Sequence, residues 1–207
     1  MTRDQAATRI RQNLDDLGVT FYSLSDINES IQDAYDEVVV YCGCLDSEVE
    51  INFANNLTYY DIRTLVPNFY RVSKIWHPGI NGFYGLSNDR DELSYRNNWE
   101  LSSNVSREAL VAGPNRIGMV GRSANATGFF RLFYKTTAPV LSANTVILIN
   151  EGYIRLIELY GTADLLEQNE EFTKASKLWE EYEVMLSKYK QKVDLLSKSD
   201  RVFAREV

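Results

Sequence analysis

Histidine and cysteine are nearly absent from this sequence, with one His and two Cys among 207 residues. Nucleophilic catalysis by a triad would have to use His77. That residue stands between Trp76 and Pro78 in a predicted turn, where a surface or packing role is the simpler reading. Cys42 and Cys44 form a Cys-Gly-Cys run. It supplies two soft ligands where a structural zinc site takes about four, so reduced thiols at a helix end are expected. No Gly-x-Ser-x-Gly elbow, Walker lysine loop or Gly-x-Gly-x-x-Gly follows a predicted strand. Gly118-Met-Val-Gly121 is the nearest glycine pair and lacks the lysine. Carboxylates are plentiful, but most fall on predicted helix surfaces and nothing nominates a catalytic pair. The expectation is a chain that is not an enzyme and takes no cofactor and no metal.

Long apolar runs are missing too. No stretch approaches the roughly 18 apolar residues of a membrane helix. The polar opening Met1–Ile10 lacks the apolar core of a signal peptide. A soluble protein made in the cytoplasm and not exported by the usual route is therefore expected, with no membrane partner. On that expectation the sequons at Asn56, Asn104 and Asn125 go unused.

The net charge of −7 is unevenly spread. Residues 1–58 hold 11 acids and 3 bases (−8), residues 59–140 hold 6 and 10 (+4), and residues 141–207 hold 12 and 9 (−3). An acidic first part and a mildly basic middle favour contacts between copies or with partners. The basic excess is too dilute for a nucleic-acid grip.

At 44% hydrophobic and 25% charged, the chain has the composition of a globular domain with a real core. Ala7, Ile10, Leu14 and Leu17 share one helical face, with Thr2 and Gln5 as a capping box and Gly18 as a stop. A second helix is predicted from Ser25, with Ile27, Ile31, Ala34, Val38 and Tyr41 as its apolar stripe and Gly43 as its end. Acids in its first turn suit the helix dipole.

The middle alternates instead. Val49, Ile51 and Phe53 have the period of a half-buried strand. Tyr59–Val66, Pro67–Trp76, Arg116–Val120 and Phe129–Tyr134 are further strand candidates, joined by long loops rich in Asn, Ser, Gly and Arg. Helical periodicity returns after Ser142 with Val146, Ile149, Tyr153, Ile157 and Tyr160, and Gly161 and Gln168-Asn169 mark weakening and a turn. Phe172, Ala175, Trp179, Tyr182, Leu186, Tyr189, Val193 and Leu196 then follow a 3-4-3-4-3-4-3 spacing over 25 residues. Such a stripe predicts a packed antiparallel hairpin with the preceding helix.

The expected fold is α+β: a helical bundle built from N-terminal and C-terminal helix pairs with an inserted, mostly antiparallel β module. The helices are placed at about 3–17, 25–42, 143–167 and 170–197, the β module at about 48–141, and a tail at 199–207. All of it forms one domain.

Aromatic residues number 25, and many lie in the middle region. Tyr, Trp and Arg are enriched at interface hot spots, but aromatics also fill small β cores. Phe69, Trp76 and Phe133 fit the core reading better. Tyr84, Tyr95 and Trp99, flanked by Asn, Asp and Arg, are candidates for contact with a tail protein or a neighbouring subunit. The tail places Val202-Phe203 between Arg201 and Arg205. It either frays or docks its apolar pair into a neighbour.

Three stretches together resemble the head-to-tail adaptor (head-completion) proteins of tailed bacteriophages. Ser25–Glu37 is similar to the family's early helix. Val66-Pro-Asn-Phe-Tyr-Arg-Val-Ser-Lys-Ile75 is similar to its Pro-x-Phe-x-Arg-Val strand, and Phe129–Leu141 to the passage from strand into the C-terminal helix pair. The long Asn/Ser/Arg-rich middle departs from the pattern. The resemblance implies a non-enzymatic virion protein that forms a ring, commonly a dodecamer, beneath the portal. The bundle would build the ring wall, and the β module would meet the tail tube or nozzle protein. Arg201, Val202, Phe203 and Arg205 would insert among portal subunits. DNA would pass through without specific binding, past Asp33, Asp36 and Glu37 if the early helices line the channel. Rival expectations are another phage tail or baseplate component, and a cellular adaptor dimerising through its C-terminal helix.

Overall fold

The computed structural model describes residues 1–16, 21–53, 59–77, 82–83, 85–87, 108–111, 113, 115–119 and 128–203. The chain divides into two compact units, Met1–Leu45 with Ala138–Val207, and Asp46–Thr137. Helices and antiparallel sheets together make this an α+β protein.

In the first unit, α1 (Arg3–Asn13) begins as expected: the Gln5 N–H donates to the Thr2 hydroxyl oxygen while the Thr2 N–H donates to Gln5 Oε1. It ends four residues before the expected position because a buried ion pair reverses the chain. Arg11 Nη1 meets Asp16 Oδ2 at 3.1 Å, and Asp16 also accepts from the N–H groups of Phe21 and Tyr22. Arg11 Nη2 donates to the Tyr22 carbonyl. Asp15 supplies the left-handed step with φ 54°. Leu17 and Gly18 lie outside the described residues.

Helix α2 (Leu24–Cys42) is capped by Ser23 in a capping box with Asp26, two residues before the predicted Ser25 start. Gly43 closes it in the left-handed region (φ 59°), where a residue with no Cβ carries no steric cost. Ile27, Ile31, Ala34 and Val38 are buried as predicted. Cys42 completes the stripe in place of Tyr41, which is 52% exposed, because the next full turn after Val38 falls at Cys42.

The expected helix over 143–167 is shorter. Residues before 150 are spent otherwise: Val146 bridges Thr2, Ile147 N–H donates to the Met1 carbonyl, and Leu148 N–H donates to the Tyr35 hydroxyl. Ile147 and Ile149 are still buried, so their apolar spacing is satisfied by extended chain. A 3-10 turn (Glu151–Tyr153) leads into α4 (Arg155–Gln168); α3 is a single turn in the second unit. Gly161 lies inside α4, where a Cβ would stand 2.6 Å from Ile10 Cδ1. It marks the close approach of α1 and α4, correcting the expected weakening of the helix.

The turn at Gln168-Asn169 is found. Glu170 takes φ 62°, with Glu171 N–H on the Leu166 carbonyl and Glu170 N–H on that of Glu167, the two bonds of a Schellman end. Helix α5 (Phe172–Phe203) follows. Its predicted stripe is buried at Ala175, Tyr182, Leu186 and Tyr189, while Phe172 and Leu196 at its ends are exposed. Tyr153 stacks on Tyr189 at 4.5 Å, and Tyr160 meets Trp179 and Tyr182 edge-on, which fixes α4 and α5 as antiparallel.

The second unit holds two four-stranded sheets. The first runs β1 (Asp46–Asn52), β8 (Phe129–Thr136), β3 (Phe69–His77), β4 (Gly82–Phe83) in spatial order. The second runs β2 (Tyr59–Asp61), β7 (Arg116–Met119), β6 (Glu108–Val111), β5 (Gly85–Ser87). All described pairings are antiparallel except β5 with β6. The predicted strand over 59–66 breaks after Asp61 into α3 (Ile62–Leu65), because Ile62 N–H is taken by the Asn115 carbonyl and Val66 N–H by that of Ile62. Strand β8 alternates half-buried and buried residues, sending Phe130, Leu132 and Tyr134 into a core with Ile51, Tyr60, Phe69 and Ile75. Phe133 and Trp76, expected beside Phe69, are only half-buried.

Candidate functional site

The helical unit carries a polar and aromatic face built from α2, α4 and α5. Asp26, Glu29, Asp33 and Glu37 follow each other at steps of 3, 4 and 4 along α2, so they form one exposed column. The helix has no basic residue to neutralise them. Glu37 Oε1 accepts from the Tyr182 hydroxyl at 2.9 Å. Asp164 of α4 accepts from Ser30 at 2.6 Å and from Gln168 at 3.0 Å. Glu167 accepts from the Trp179 indole N–H at 3.0 Å.

Burial and this negative field act together on the phenols. Desolvation first, then Glu37, Asp164 and Asp33, push the Tyr160 hydroxyl up to about 12. Tyr182 is raised further, by burial and then by Glu37. The three rings of Tyr160, Trp179 and Tyr182 contact one another edge-on at 4.9 to 5.7 Å, so they fill their own space.

The three proposed channel residues do not form one row. Asp33 and Glu37 share the exposed column, whereas Asp36 is half-buried and accepts from Gln32 Nε2. Gln32 also binds the chain at Pro139 and Leu141, so Asp36 faces that segment. Asp26 and Glu29, surface acids in the sequence pattern, extend the column beyond the residues expected at the channel, and the 3-4-4 spacing is its signal.

The C-terminal half of α5 is basic. Lys188 and Lys192 are exposed, Lys190 pairs with Asp194, and the Lys192 ammonium lies 5.3 Å from the centre of the Tyr153 ring. Tyr153 precedes α4, so Asp194–Phe203 extend past the start of α4 by about 15 Å at 1.5 Å per residue. Arg201, Val202 and Phe203 belong to the last turn of α5, correcting the expected tail from 199. No Gly or Pro follows Gly161, so nothing in the sequence stops this helix early. Arg205, Tyr84, Tyr95 and Trp99 lie outside the described residues.

Cys42 is a buried thiol, and burial pushes it up to about 12, away from reactivity at neutral pH. Among the described residues no group of three or more His, Cys, Asp or Glu is placed to hold a metal, and no helix is long and apolar enough to cross a membrane.

On the second unit, β1 and β8 pair charges across one sheet face: Glu50 with Arg131 at 2.6 Å and Asp46 with Lys135 at 2.7 Å. The Arg131 guanidinium also lies 5.6 Å from the Trp76 ring centre. The register that makes these pairs is set by burying the alternate residues Ile51, Phe130 and Leu132.

No protein-family model matches the chain, and no curated protein matches it.

Proposed function

We propose that the protein is a head-to-tail adaptor of a tailed bacteriophage, a non-enzymatic virion component made in the host cytoplasm. The observation that carries the reading is the pairing of two of the resembling stretches. Val66–Ile75 and Phe129–Leu141 supply neighbouring strands, with Val72 opposite Tyr134 and Ile75 opposite Leu132. Two segments separated by 53 residues of sequence, similar to two family segments, thus build one sheet.

On this reading the N-terminal and C-terminal helix pairs form a bundle that makes the wall of a ring, commonly a dodecamer, on the portal. The β module meets the tail tube or nozzle protein. DNA passes through the ring without specific binding. The burial of Tyr182, Leu186 and Tyr189 within the chain weighs against a cellular adaptor that dimerises through the same stripe.

Co-sedimentation with portal rings of the same genome tests the proposal. The full chain is expected to sediment with the rings, and a chain lacking residues 199–207 to stay in solution with its helicity retained. Sedimentation of neither rejects the adaptor reading, and equal sedimentation of both rejects the role of the C-terminal end.

A further inference from the structure

Helices α2 and α5 run in the same direction. Tyr22, just before α2, lies in the field of Lys174; Glu37 binds Tyr182; and Cys42 lies in the field of Lys190 and Asp194. Two oppositely charged surfaces therefore sit at different heights of one unit. Residues Leu24–Cys42 carry five acids and no base (−5), and residues 188–197 carry three bases and one acid (+2). The middle of the acidic column, near Glu29 and Asp33, is offset from the centre of the basic stretch by roughly 20 Å along the axis.

The basic end of α5 also has an outward seam. Val184, Lys188, Gln191 and Leu195 follow at steps of 4, 3 and 4, and all four are exposed. Leu195 is 67% exposed. The acidic column of α2 is bordered by exposed apolar residues as well: Phe21 and Leu24 at its start, Val40 and Tyr41 at its end. Neither Glu29 nor Asp33 has an ion-pair partner among the described residues. Each surface thus joins a net charge to exposed apolar side chains, and the two net charges are opposite.

We infer that the basic outward seam of α5 docks on the acidic column of α2 in a second copy of this chain. A contact between two different faces is heterologous, so each copy keeps one face of each kind open. Such a contact propagates from copy to copy and gives a ring where the rotation between copies closes. The inference builds on the ring proposed above and names the surfaces that form it. Long-range attraction between the two charged faces also speeds assembly and weakens it in high salt.

The test uses the full chain without any portal. Mixed isotopically labelled and unlabelled protein is treated with a zero-length carbodiimide cross-linker, which joins amines to carboxylates in direct contact. Intermolecular links from Lys188 or Lys192 to Glu29 or Asp33 are expected. The pair Glu29→Lys/Asp33→Lys and the pair Lys188→Glu/Lys192→Glu should each abolish self-association alone, and mixing the two variants should restore it. The milder Glu29→Gln/Asp33→Asn variant, checked for helicity, should reduce association and guards against misfolding of the reversals. Absence of the links in the unmodified chain, or a mixture that associates no better than either variant, overturns the contact. Portal rings fully loaded by both reversal variants would overturn this contact while leaving the adaptor reading intact. Swapped-charge rescue without portal binding would do the reverse.

Discussion

Tyr182 and Glu37 tie the middle of the long C-terminal helix to the second helix: the phenol of a fully packed ring donates to an exposed carboxylate at 2.9 Å. The bond locates Tyr182 at the meeting of α2, α4 and α5, where it also contacts Tyr160 and Trp179. Tyr182→Phe keeps the ring and removes the bond. Because Glu37 regains water, the expected loss is about 1 kcal/mol, measured by urea unfolding. A loss several times larger would mean that the hydroxyl supports more than this bond.

Alkaline pH should weaken the helical unit. Burial raises Tyr35, Tyr160, Tyr182 and Tyr189 above the ordinary phenol value of 10.0. A folded-state value above the unfolded one contributes stability that is complete below pH 10 and is lost as pH climbs through the folded values. Tyr160, at about 12, places part of that loss between pH 10 and 12. Cys42, raised from 9.0 to about 12, adds a loss that begins near pH 9. Unfolding midpoints should fall across this range together with the rise of phenolate absorbance, and Tyr182→Phe should make the fall shallower.

The Arg11–Asp16 pair is nearly enclosed, with side-chain exposures of 10% and 2%. Removing one member leaves a buried charge unpaired. Arg11→Met should therefore cost about 3–5 kcal/mol. The double change Arg11→Met/Asp16→Leu should cost less than the two single changes added together, as read from a double-mutant cycle. Additive costs would contradict the coupling.

Glu170 holds a left-handed conformation that glycine adopts without steric cost, and its charge adds to the negative end of α4. Glu170→Gly is expected to stabilise the chain by about 1 kcal/mol, visible as a raised melting temperature. Destabilisation would show that the Glu170 side chain makes a contact worth more than the strain.

Local chemistry was the most legible level of this sequence. The Thr2–Gln5 capping box, the glycine end at Gly43 and the alternation of Phe129–Tyr134 act over a few residues, so composition alone identifies them. Features that depend on distant partners were hidden. The apolar spacing of Val146 and Ile149 fits a helix, but Met1, Thr2 and Tyr35 take the backbone bonds of that stretch. Asn115 likewise breaks the strand predicted through Val66. The column from Asp26 to Glu37 is visible as spacing. Its bond to Tyr182 and its field on Tyr160 depend on packing between helices more than 100 residues apart in sequence.

Counting subunits on a portal is the most direct test of the adaptor reading. Purified protein mixed with the portal ring of the same genome, followed by native mass spectrometry, should give a discrete complex. Its added mass should correspond to one chain per portal subunit. An unchanged portal beside free monomers or dimers would contradict the adaptor assignment.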